Sequence, residues 1–381
     1  MQKKILFFAH DPGGANTIIP LIDILKKKYE VVLFGKNAAL KRYQEFGYNG
    51  NDITAVVSDF TQQAMINFVS ELKPDIVVTG TSATDKTEKY LWHACEKLTI
   101  PSCAVLDQWM NYGIRFSVYG IDQIEFYLRD KTHAYLPSKI CVMDDYAQAQ
   151  MQLEGVDSSR VVVTGQPYFD LVQKRKKTLL QENILALKKF LYGDIDTLIT
   201  FASEPFSLIF KDADYLGYTE QTILQQILDA LTVLANSTQK KIVLAIRPHP
   251  KEDLLYYHNL VASHQESLLK IVVQSDVSGT EAMLMSDVVC GMSSMFLLEA
   301  ALLDIPILSV QIGLKTQDPF VLSRRNFIKT ILDKTELFAT LQAVVMHQGA
   351  MPVTDFLVIQ QAAGHVAHVI DSLLWGEMRD E

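Results

Sequence analysis

Short apolar runs alternate with longer amphipathic runs along the whole chain. The short runs are rich in Val, Ile and Phe and almost continuously hydrophobic, which is typical of strands covered on both faces. In the first half, the runs that predict strands are Lys4–Ala9, Val31–Phe34, Ile76–Thr79, Ser102–Leu106, Lys139–Val142 and Val161–Thr164. The runs between them predict helices, among them Thr17–Lys28, Gln62–Leu72, Glu88–Leu98 and Tyr146–Glu154. This alternation predicts βαβ units and a parallel, doubly wound sheet.

A second series of the same kind follows a break in the pattern. A charged helical stretch is predicted from about Tyr168 to Leu191, and the segment Gly193–Asp196 ends it. The strands predicted after it are Thr197–Ala202, Lys241–Ile246, Leu269–Val273, Val288–Cys290 and Ile307–Val310, with helices such as Thr219–Asn236 and Leu297–Leu303. We therefore predict an α/β protein with two Rossmann-like domains whose parallel sheets face each other across a cleft.

The domain boundaries follow from these two series. Residues 1–170 are predicted to form a first Rossmann-like domain and residues 171–353 a second one. Residues 354–381 contain a last helical run, from about Thr354 to Trp375, which we expect to pack back on the first domain. A length of 381 residues agrees with two domains, since one core rarely serves so long a chain.

Composition narrows the class of function. Apolar residues make up 49% of the chain and charged residues 21%, as in a globular protein. The net charge of −9 argues against an extended nucleic-acid-binding surface. One basic run, Lys174–Lys177, could bind phosphates or a membrane surface, although a solvated helix face is the favoured interpretation.

The cysteines and the N-terminus predict a cytoplasmic protein. The 4 cysteines are scattered without a C-x-x-C pair, as expected of reduced, buried thiols. The short apolar run near the N-terminus lacks the length and the cleavage site of a signal peptide. No segment approaches the roughly 20 apolar residues that span a bilayer. Peripheral contact with the inner face of the membrane and a homodimer are both left open.

Ligands of doubly wound sheets bind at the carboxyl ends of the strands, so polar residues at these positions are the candidates for function. The first strand ends in His10 and Asp11, which are candidates for a general base acting on a hydroxyl. Gly13 and Gly14 would let the backbone approach a ligand, and Asn16 lies in the same turn, ahead of a predicted helix. A tight turn with Asp11 as a local helix cap is the alternative.

The segment after the strand Ser102–Leu106 is richer in polar groups. Asp107 is a second candidate base. Trp109, Asn111 and Arg115 combine an aromatic face with polar side chains, which is typical of surfaces that bind carbohydrate. The alternative is that Trp109 belongs to the core.

The second domain contains the strongest pair of candidates. Arg247 and His249 follow a strand, and Pro248 and Pro250 stiffen the loop that holds them. A positioned cation stabilises charge on a phosphate leaving group, so both residues are candidates for donor binding. Ser203, at the end of the preceding strand, is a further candidate. A surface loop with incidental charge is the alternative.

Two serines and a glutamate extend this predicted site. Ser293 and Ser294 stand where a helix should begin, so they could bind phosphate or serve only as helix caps. Glu299 lies further along this apolar helix, where ribose hydroxyls would be suitable partners and a solvated face is the alternative. No metal site is predicted, since Asp144–Asp145 and Asp212–Asp214 are interpreted as solvated turns without supporting ligands.

Several short motifs follow one another along the chain. They are the Gly13–Gly14 turn, Thr164–Pro167, Arg247–Pro250, Ser293–Ser294, Glu299–Ala300 and Pro306. In this order they resemble the two-domain GT-B fold of glycosyltransferases. Within that fold the chain is similar to bacterial surface-polysaccharide enzymes, including CDP-glycerol glycerophosphotransferase-like and capsule transferases, and to non-hydrolysing UDP-N-acetylglucosamine 2-epimerases. Many relatives carry Lys in place of Arg247 and Gly in place of Asp304.

The resemblance implies a nucleotide-activated donor, either a nucleotide-diphosphate sugar or a CDP-alcohol, held mainly by the second domain. Arg247 and His249 would face the diphosphate, Ser293 and Ser294 the phosphates, and Glu299 the ribose. The acceptor, a glycan or a lipid-linked molecule, would lie against the first domain. Neither a metal nor another cofactor would be needed.

The leading prediction is therefore a transferase of surface glycan biosynthesis. It would move a sugar or an alcohol-phosphate group from the donor to an acceptor hydroxyl, with His10, Asp11 or Asp107 as the base. An epimerase that converts a nucleotide sugar without an acceptor is the first alternative. A non-catalytic protein that binds a nucleotide sugar is the second.

Overall fold

The structure, a computed structural model, describes residues 2–210, 215–264, 266–348, 352–353, 356 and 358–376. The chain divides into two compact units, Met1–Leu171 together with Val358–Glu381, and Val172–Leu357. Each unit contains one parallel β-sheet and its own helices. The predicted α/β class with two Rossmann-like domains is confirmed.

The first unit is built on a seven-stranded sheet. Its strands are β1 (Lys4–Ala9), β2 (Glu30–Gly35), β3 (Asn51–Asp52), β4 (Ile76–Thr79), β5 (Ser102–Val105), β6 (Lys139–Val142) and β7 (Val161–Val163). They lie in the order β3-β2-β1-β4-β5-β6-β7. The helices are α1 (Pro12–Leu25), α2 (Ala38–Glu45), α3 (Gln62–Leu72), α4 (Thr87–Leu98), α5 (Ile124–Asp130), α6 (Asp145–Leu153) and α7 (Pro167–Thr178), the last of which leads into the second unit.

The second unit is built on a five-stranded sheet. Its helices are α8 (Gln181–Tyr192), α9 (Phe206–Ile209), α10 (Glu220–Thr238), α11 (Leu254–Ser263), α12 (Gly279–Met285), α13 (Met295–Leu302), α14 (Val321–Arg324) and α15 (Lys334–Val345). Its strands are β8 (Thr197–Ala202), β9 (Ile242–Arg247), β10 (Leu269–Val273), β11 (Val288–Gly291) and β12 (Ile307–Ser309). They lie in the order β10-β9-β8-β11-β12. The chain then returns to the first unit with α16 (Ala362–Trp375).

In each sheet the strand order reverses beside the first strand of the unit. β1 pairs with β2 on one side and with β4 on the other, and β8 pairs with β9 and β11 in the same way. Parallel sheets bind ligands outside the carboxyl ends of the strands at such a reversal. We therefore expect ligands to bind at the segments that follow β1, β4, β8, β9 and β11.

Helix α16 completes the core of the first unit. Its Val366 and Ile370 are fully buried in one apolar cluster with Ile18 of α1. The amide of Ala363 donates to the carboxylate of Asp170 at 2.9 Å, which fixes the start of the helix. The segment that closes this core is thus far in sequence from the strands that it covers.

Two helix predictions differ from the structure. The stretch predicted as one helix from Tyr168 to Leu191 is two helices, α7 and α8, because Leu180 has extended backbone angles (φ −70°, ψ 133°) and begins a new helix. The final helix begins at Ala362. Thr354, where its start was predicted, lies outside the described residues.

Two glycines set the distance between the segments that follow β1 and β4. A Cβ atom on Gly80 would lie 2.4 Å from the Cα atom of Gly14, and one on Gly14 would lie 3.2 Å from the Cα atom of Gly80. Carbon atoms in favourable contact lie about 3.5–4 Å apart, so the two backbones are already as close as they can be. A side chain at Gly80 would have to push them apart.

We expect the substitution Gly80→Ala to destabilise the protein by about 1–3 kcal/mol, since it overpacks a contact between two backbones. The free energy of unfolding can be measured by urea denaturation. Gly364→Ala is the matched control, because Gly364 lies in α16 of the same unit and an added Cβ would meet nothing within 4 Å. The control should gain up to about 1 kcal/mol, since alanine favours a helix. Equal stability of Gly80→Ala and the wild type would contradict the contact.

Candidate functional site

The turn between β1 and α1 brings the first candidates to the edge of the sheet. α1 begins at Pro12, ahead of the predicted start at Thr17, because proline fits the first turn of a helix. Asp11 precedes the helix, but its side chain makes no capping hydrogen bond to it. The hydroxyl of Ser82, in the segment after β4, donates to Asp11 Oδ2 at 2.6 Å. Asp11 thus joins the two segments rather than capping α1.

The imidazole of His10 lies between two carboxylates. Its Nδ1 is 3.1 Å from Asp11 Oδ1, and its Nε2 is 3.7 Å from Asp85 Oδ2. Asn37 Nδ2 lies 3.1 Å from the same Nε2. Burial opposes the charged form of His10, but Asp11, Asp85 and Glu88 outweigh this effect and raise the pKa of the imidazole above its usual value. His10 is therefore suited to carry a proton near neutral pH.

The buried carboxyl group of Glu88 is hydrogen-bonded to the backbone of His10. Glu88 Oε1 accepts from the backbone amide of His10 at 3.1 Å, and the residue is 1% exposed. Burial raises the pKa of Glu88 to about 8, with Asp11 and Asp85 acting in the same direction and the charge of His10 opposing them. Burial opposes the ionisation of Asp85. Hydrogen bonds from Lys36 (2.7 Å) and from Thr87 outweigh this effect and lower the pKa of Asp85 below its usual value. We call His10, Asp11, Ser82, Asp85 and Glu88 the His10 cluster.

Asp107 joins this region from the end of β5. A Cβ atom on Gly13 would lie only 2.1 Å from Asp107 Oδ2, so the carboxyl group rests directly on the first turn of α1. Its other oxygen accepts from Arg115 Nη1 at 2.9 Å. Burial raises the pKa of Asp107, as does the charge of Asp11, while Arg115 opposes both. The structure thus brings all three predicted base candidates together.

Arg115 is buried, and its guanidinium donates hydrogen bonds to protein groups of two segments. It is 1% exposed, and its Nη1 donates to the backbone oxygen (3.0 Å) and the hydroxyl (2.7 Å) of Thr81 as well as to Asp107. Its Nε donates to the backbone oxygen of Asn111 at 3.0 Å. These contacts tie the segments after β4 and β5 together. Contact of Arg115 or Asn111 with an acceptor stays a prediction.

Trp109 and Asn16 are also engaged by protein groups. The indole of Trp109 is 3% exposed, stacks on Phe169 with ring centroids 5.9 Å apart and donates to Asp144 at 3.0 Å. Asn16 Oδ1 accepts from Arg42 Nε at 2.6 Å. The core alternative for Trp109 therefore matches its surroundings, and its contact with a sugar, like that of Asn16, stays a prediction.

In the second unit, Arg247 lies beside the start of α13. Its guanidinium carbon is 5.4 Å from the centroid of the Phe296 ring, and its Nη1 donates to the backbone oxygen of Val277 at 3.2 Å. Phe296 belongs to the first turn of α13, which Ser294 caps by accepting from the Phe296 amide at 3.1 Å. A cation and the amino end of a helix are thus close together, an arrangement that suits an anion.

Ser293 is bound to a carboxyl group that sequence analysis did not select. Glu204 Oε2 accepts from the Ser293 amide at 2.7 Å, and Glu204 Oε1 accepts from the Ser293 hydroxyl at 2.9 Å. The loss of water around this carboxyl group raises its pKa to about 7, although the hydrogen bonds from Ser293 oppose the shift. Glu204 and Ser293 join the ends of β8 and β11.

A second carboxyl group organises the loop that contains His249. Glu252 accepts from the Ser203 hydroxyl (2.8 Å), the Tyr257 hydroxyl (2.5 Å) and the His249 amide (2.5 Å). Burial raises the pKa of Glu252. Ser203 is 4% exposed, and its hydroxyl is hydrogen-bonded to Glu252 and Tyr257. Binding of a donor by Ser203 and His249 stays a prediction.

Two further residues lie in the second half of α13 and just after it. Glu299 is half-buried within the helix, and its contact with a ribose stays a prediction. Asp304 has a φ angle of 59°, in the left-handed region that favours glycine. Glycine would adopt this conformation without the strain that a Cβ atom causes.

Three buried or half-buried glutamates of the site were absent from the sequence-based candidates: Glu88, Glu204 and Glu252. Glu204 directly follows Ser203 at the end of a strand, so the rule that selected Ser203 applied to it as well. Glu88 gave no such signal, since acidic residues are common in the first turn of a helix.

The described part of the chain contains neither a membrane-spanning helix nor a metal-ligand cluster. Its helices are too short or too polar to cross a bilayer. No three His, Cys, Asp or Glu side chains gather there as a metal would require. Asp212 and Asp214 lie outside the described residues. That the protein uses no metal or cofactor stays a prediction.

Comparison of the sequence finds no match, whereas comparison of the structure finds many similar structures. No protein-family model matches the chain, and no curated protein matches it. A UDP-GlcNAc 2-epimerase of Methanocaldococcus jannaschii, crystallised with UDP-GlcNAc and UDP, matches with a TM-score of 0.64 at 15% identity, covering 97% of this chain and 99% of its own. A putative UDP-N-acetylglucosamine 2-epimerase of Listeria monocytogenes matches with a TM-score of 0.67 at 15% identity, covering 100% and 99%. The Anabaena protein HepE, crystallised with UDP and glucose, matches with a TM-score of 0.59 at 13% identity, covering 98% and 97%.

These similarities establish the GT-B-like fold. They extend over both units, and several of the similar structures are nucleotide-sugar epimerases, as the resemblance of the motifs had indicated. The more specific similarity to CDP-glycerol glycerophosphotransferases stays a prediction.

The raised pKa of Glu88 predicts that the protein loses stability as the pH rises. An unfolded glutamate has a pKa near 4.5 and the folded one about 8, so the folded state binds the proton more tightly. The resulting penalty is absent below the lower value, grows between the two values and is complete above the higher one. It should amount to a few kcal/mol, since one pKa unit corresponds to about 1.4 kcal/mol.

The substitution Glu88→Gln should therefore flatten the fall in the free energy of unfolding between about pH 5 and pH 8. Urea denaturation at several pH values measures this slope. Glu96→Gln is the control, because Glu96 lies exposed on the same helix, and it should keep the wild-type slope. An unchanged slope in Glu88→Gln would show that Glu88 is not the titrating group.

Proposed function

We propose that this chain is an enzyme that binds a UDP-activated N-acetylhexosamine and inverts the carbon next to its anomeric carbon. The observation that carries the proposal is the position of Arg247, 5.4 Å from the ring of Phe296 in the first turn of α13. Ser293 and Ser294 precede this turn. The guanidinium N–H groups of Arg247, the two serine hydroxyls and the amino end of α13 form a site suited to a diphosphate.

In the proposal, residues of the second unit bind the nucleotide sugar. The guanidinium of Arg247 would pair with phosphate oxygens in a charge-assisted contact, with His249 contributing from the same loop. Glu299 would accept hydrogen bonds from the ribose hydroxyls. The nucleotide sugar is the substrate, and no resident cofactor is part of the proposal.

In the proposal, the His10 cluster removes and returns the proton of the inverted carbon. Inverting this carbon requires that one group removes its proton while the electron pair of the C–H bond expels the diphosphate from the anomeric carbon, and that the diphosphate adds back as a proton returns from the opposite face. His10 suits this role because Asp11 and Asp85 hold its imidazole from both sides (3.1 and 3.7 Å) and raise its pKa. Asp107, whose pKa burial also raises, is the candidate for the second proton carrier.

The structural neighbours favour epimerisation over transfer. Structures of UDP-GlcNAc 2-epimerases match this chain over nearly all of both chains, with TM-scores of 0.64 and 0.66 in two examples. Epimerisation, unlike transfer, needs no acceptor.

Transfer to an acceptor hydroxyl is the second candidate. It is favoured by the resemblance of the Arg247–Pro250 and Ser293–Ser294 motifs to surface-polysaccharide transferases, and by the similarity to HepE, which was crystallised with UDP and glucose. The same His10 would then remove the proton of the acceptor hydroxyl.

Incubation with UDP-GlcNAc in D₂O, without an acceptor, separates the two candidates. An epimerase exchanges the hydrogen of the inverted carbon for deuterium and produces the manno isomer, and proton NMR detects both changes. His10→Gln should slow the exchange by about 10²- to 10⁴-fold, the usual contribution of a general acid or base, and should leave donor binding intact. No exchange and no second isomer, together with sugar transfer to an added glycan, would favour the transferase.

The substitution Arg247→Ala should weaken UDP binding by about 10- to 100-fold. A hydrogen bond to a charged group contributes about 1.5–3 kcal/mol, which corresponds to that range of Kd. Isothermal titration calorimetry measures the Kd. Lys270→Ala is the control for lost positive charge, because Lys270 is exposed on β10, and it should bind as the wild type does. An unchanged Kd in Arg247→Ala would place the diphosphate elsewhere.

A further inference from the structure

Glu204 occupies both hydrogen-bond donors of Ser293. Its two oxygens accept from the Ser293 amide at 2.7 Å and from the Ser293 hydroxyl at 2.9 Å. Ser293 directly precedes the N-cap of α13, and Arg247 lies beside the first turn of that helix. The proposed diphosphate site thus contains a carboxyl group that already holds the donors a phosphate would need.

An ionised Glu204 opposes phosphate binding in two ways. Its negative charge repels the diphosphate across a short distance. An ionised carboxylate also accepts hydrogen bonds only, so the N–H and the O–H of Ser293 must both point toward it.

A protonated Glu204 removes both obstacles. The charge is gone, and the carboxyl O–H can donate to Ser293 Oγ while the other oxygen keeps the bond from the Ser293 amide. The hydroxyl hydrogen of Ser293 can then turn toward a phosphate oxygen. A proton on Glu204 therefore converts Ser293 from an occupied donor into an available one.

We infer that Glu204 is a positioning residue that admits the diphosphate of a nucleotide sugar beside α13 only when its own carboxyl group is protonated. The inference rests on the proposed function of this site. When the free protein holds Glu204 ionised, binding takes up one proton from solvent, and no covalent bond other than the new O–H is formed. The residue acts through Ser293 and has no part in the chemistry of the sugar.

The surroundings of Glu204 place its titration near neutral pH. Burial raises its pKa to about 7, against the opposing effect of hydrogen bonds from Ser293 and Met292. The charge of Glu252, from the segment after β9, acts in the same direction as burial. Tyr218, from the segment before α10, is a titratable group whose pKa burial and the charge of Glu204 raise. An approaching diphosphate would raise the pKa of Glu204 further.

The test measures the Kd of UDP-GlcNAc at about pH 6 and about pH 8 by equilibrium dialysis. Both phosphates of this probe are esterified, so its charge is the same at the two pH values. The wild-type Kd should rise roughly tenfold between them, because the protonated fraction of a group with a pKa of about 7 falls by that factor. Glu204→Gln should bind at both values as the wild type binds at the lower one, since its amide donates to Ser293 Oγ as the carboxyl O–H would.

Glu220→Gln is a closely matched control. Glu220 is also a buried glutamate of the second unit, and it also accepts from the amide (3.1 Å) and the hydroxyl of one serine, Ser207. Ser207 belongs to α9 and does not precede α13. This variant should keep the wild-type dependence of the Kd on pH.

Calorimetry of the wild type in two buffers of different ionisation enthalpy gives a second measurement that needs no variant. It should detect uptake of close to one proton per bound UDP-GlcNAc at about pH 8. The inference is overturned if the wild type takes up no proton, or if Glu204→Gln keeps the wild-type change in Kd. Binding without any dependence on pH would refute this inference alone, whereas no binding at either pH would refute the proposed function as well.

Discussion

The backbone contact between Gly14 and Gly80 is the constraint on which the chemistry of the first unit depends. It holds the turn after β1 against the segment after β4, and at this distance the hydroxyl of Ser82 reaches Asp11. In the same region, burial raises the pKa of Glu88 and of Asp107. Two residues without side chains thus let the segments that carry Asp11 and Ser82 approach each other.

Most of the fold could be predicted because its signal is local. A strand covered on both faces is apolar along its whole length, and the buried run Ile5–Ala9 of β1 is an example. The break between α7 and α8 could not be predicted in this way, because Leu179 and Leu180 continue the apolar pattern and only the backbone angles at Leu180 show where the new helix starts. Helix boundaries depend on such single residues, whereas the alternation of strands and helices does not.

The candidate site could be predicted in position more than in detail. A place at the end of a strand is visible in sequence, and this rule selected Arg247 and Ser293. Burial of a carboxyl group arises only when distant segments meet, so Glu88 looked no different from a solvated acidic residue in the first turn of a helix. Arg115 shows a further limit of sequence analysis, since it has the chemistry of a ligand contact and the structure shows it donating to Thr81 and other protein groups. Residue type alone does not distinguish a group that binds a ligand from one that holds the walls of its site.

The return of α16 to the first unit has a consequence for the order in which the protein is made. The hydrogen bond between Ala363 and Asp170 spans 193 residues, and these include the whole second unit. A ribosome therefore releases every strand of the second unit while the apolar face of α1 still lacks its cover. Exposed apolar surface on a nascent chain invites aggregation. The unit that is synthesised first is the last to be completed, so its solubility during translation depends on how quickly the intervening unit folds and lets the final helix dock.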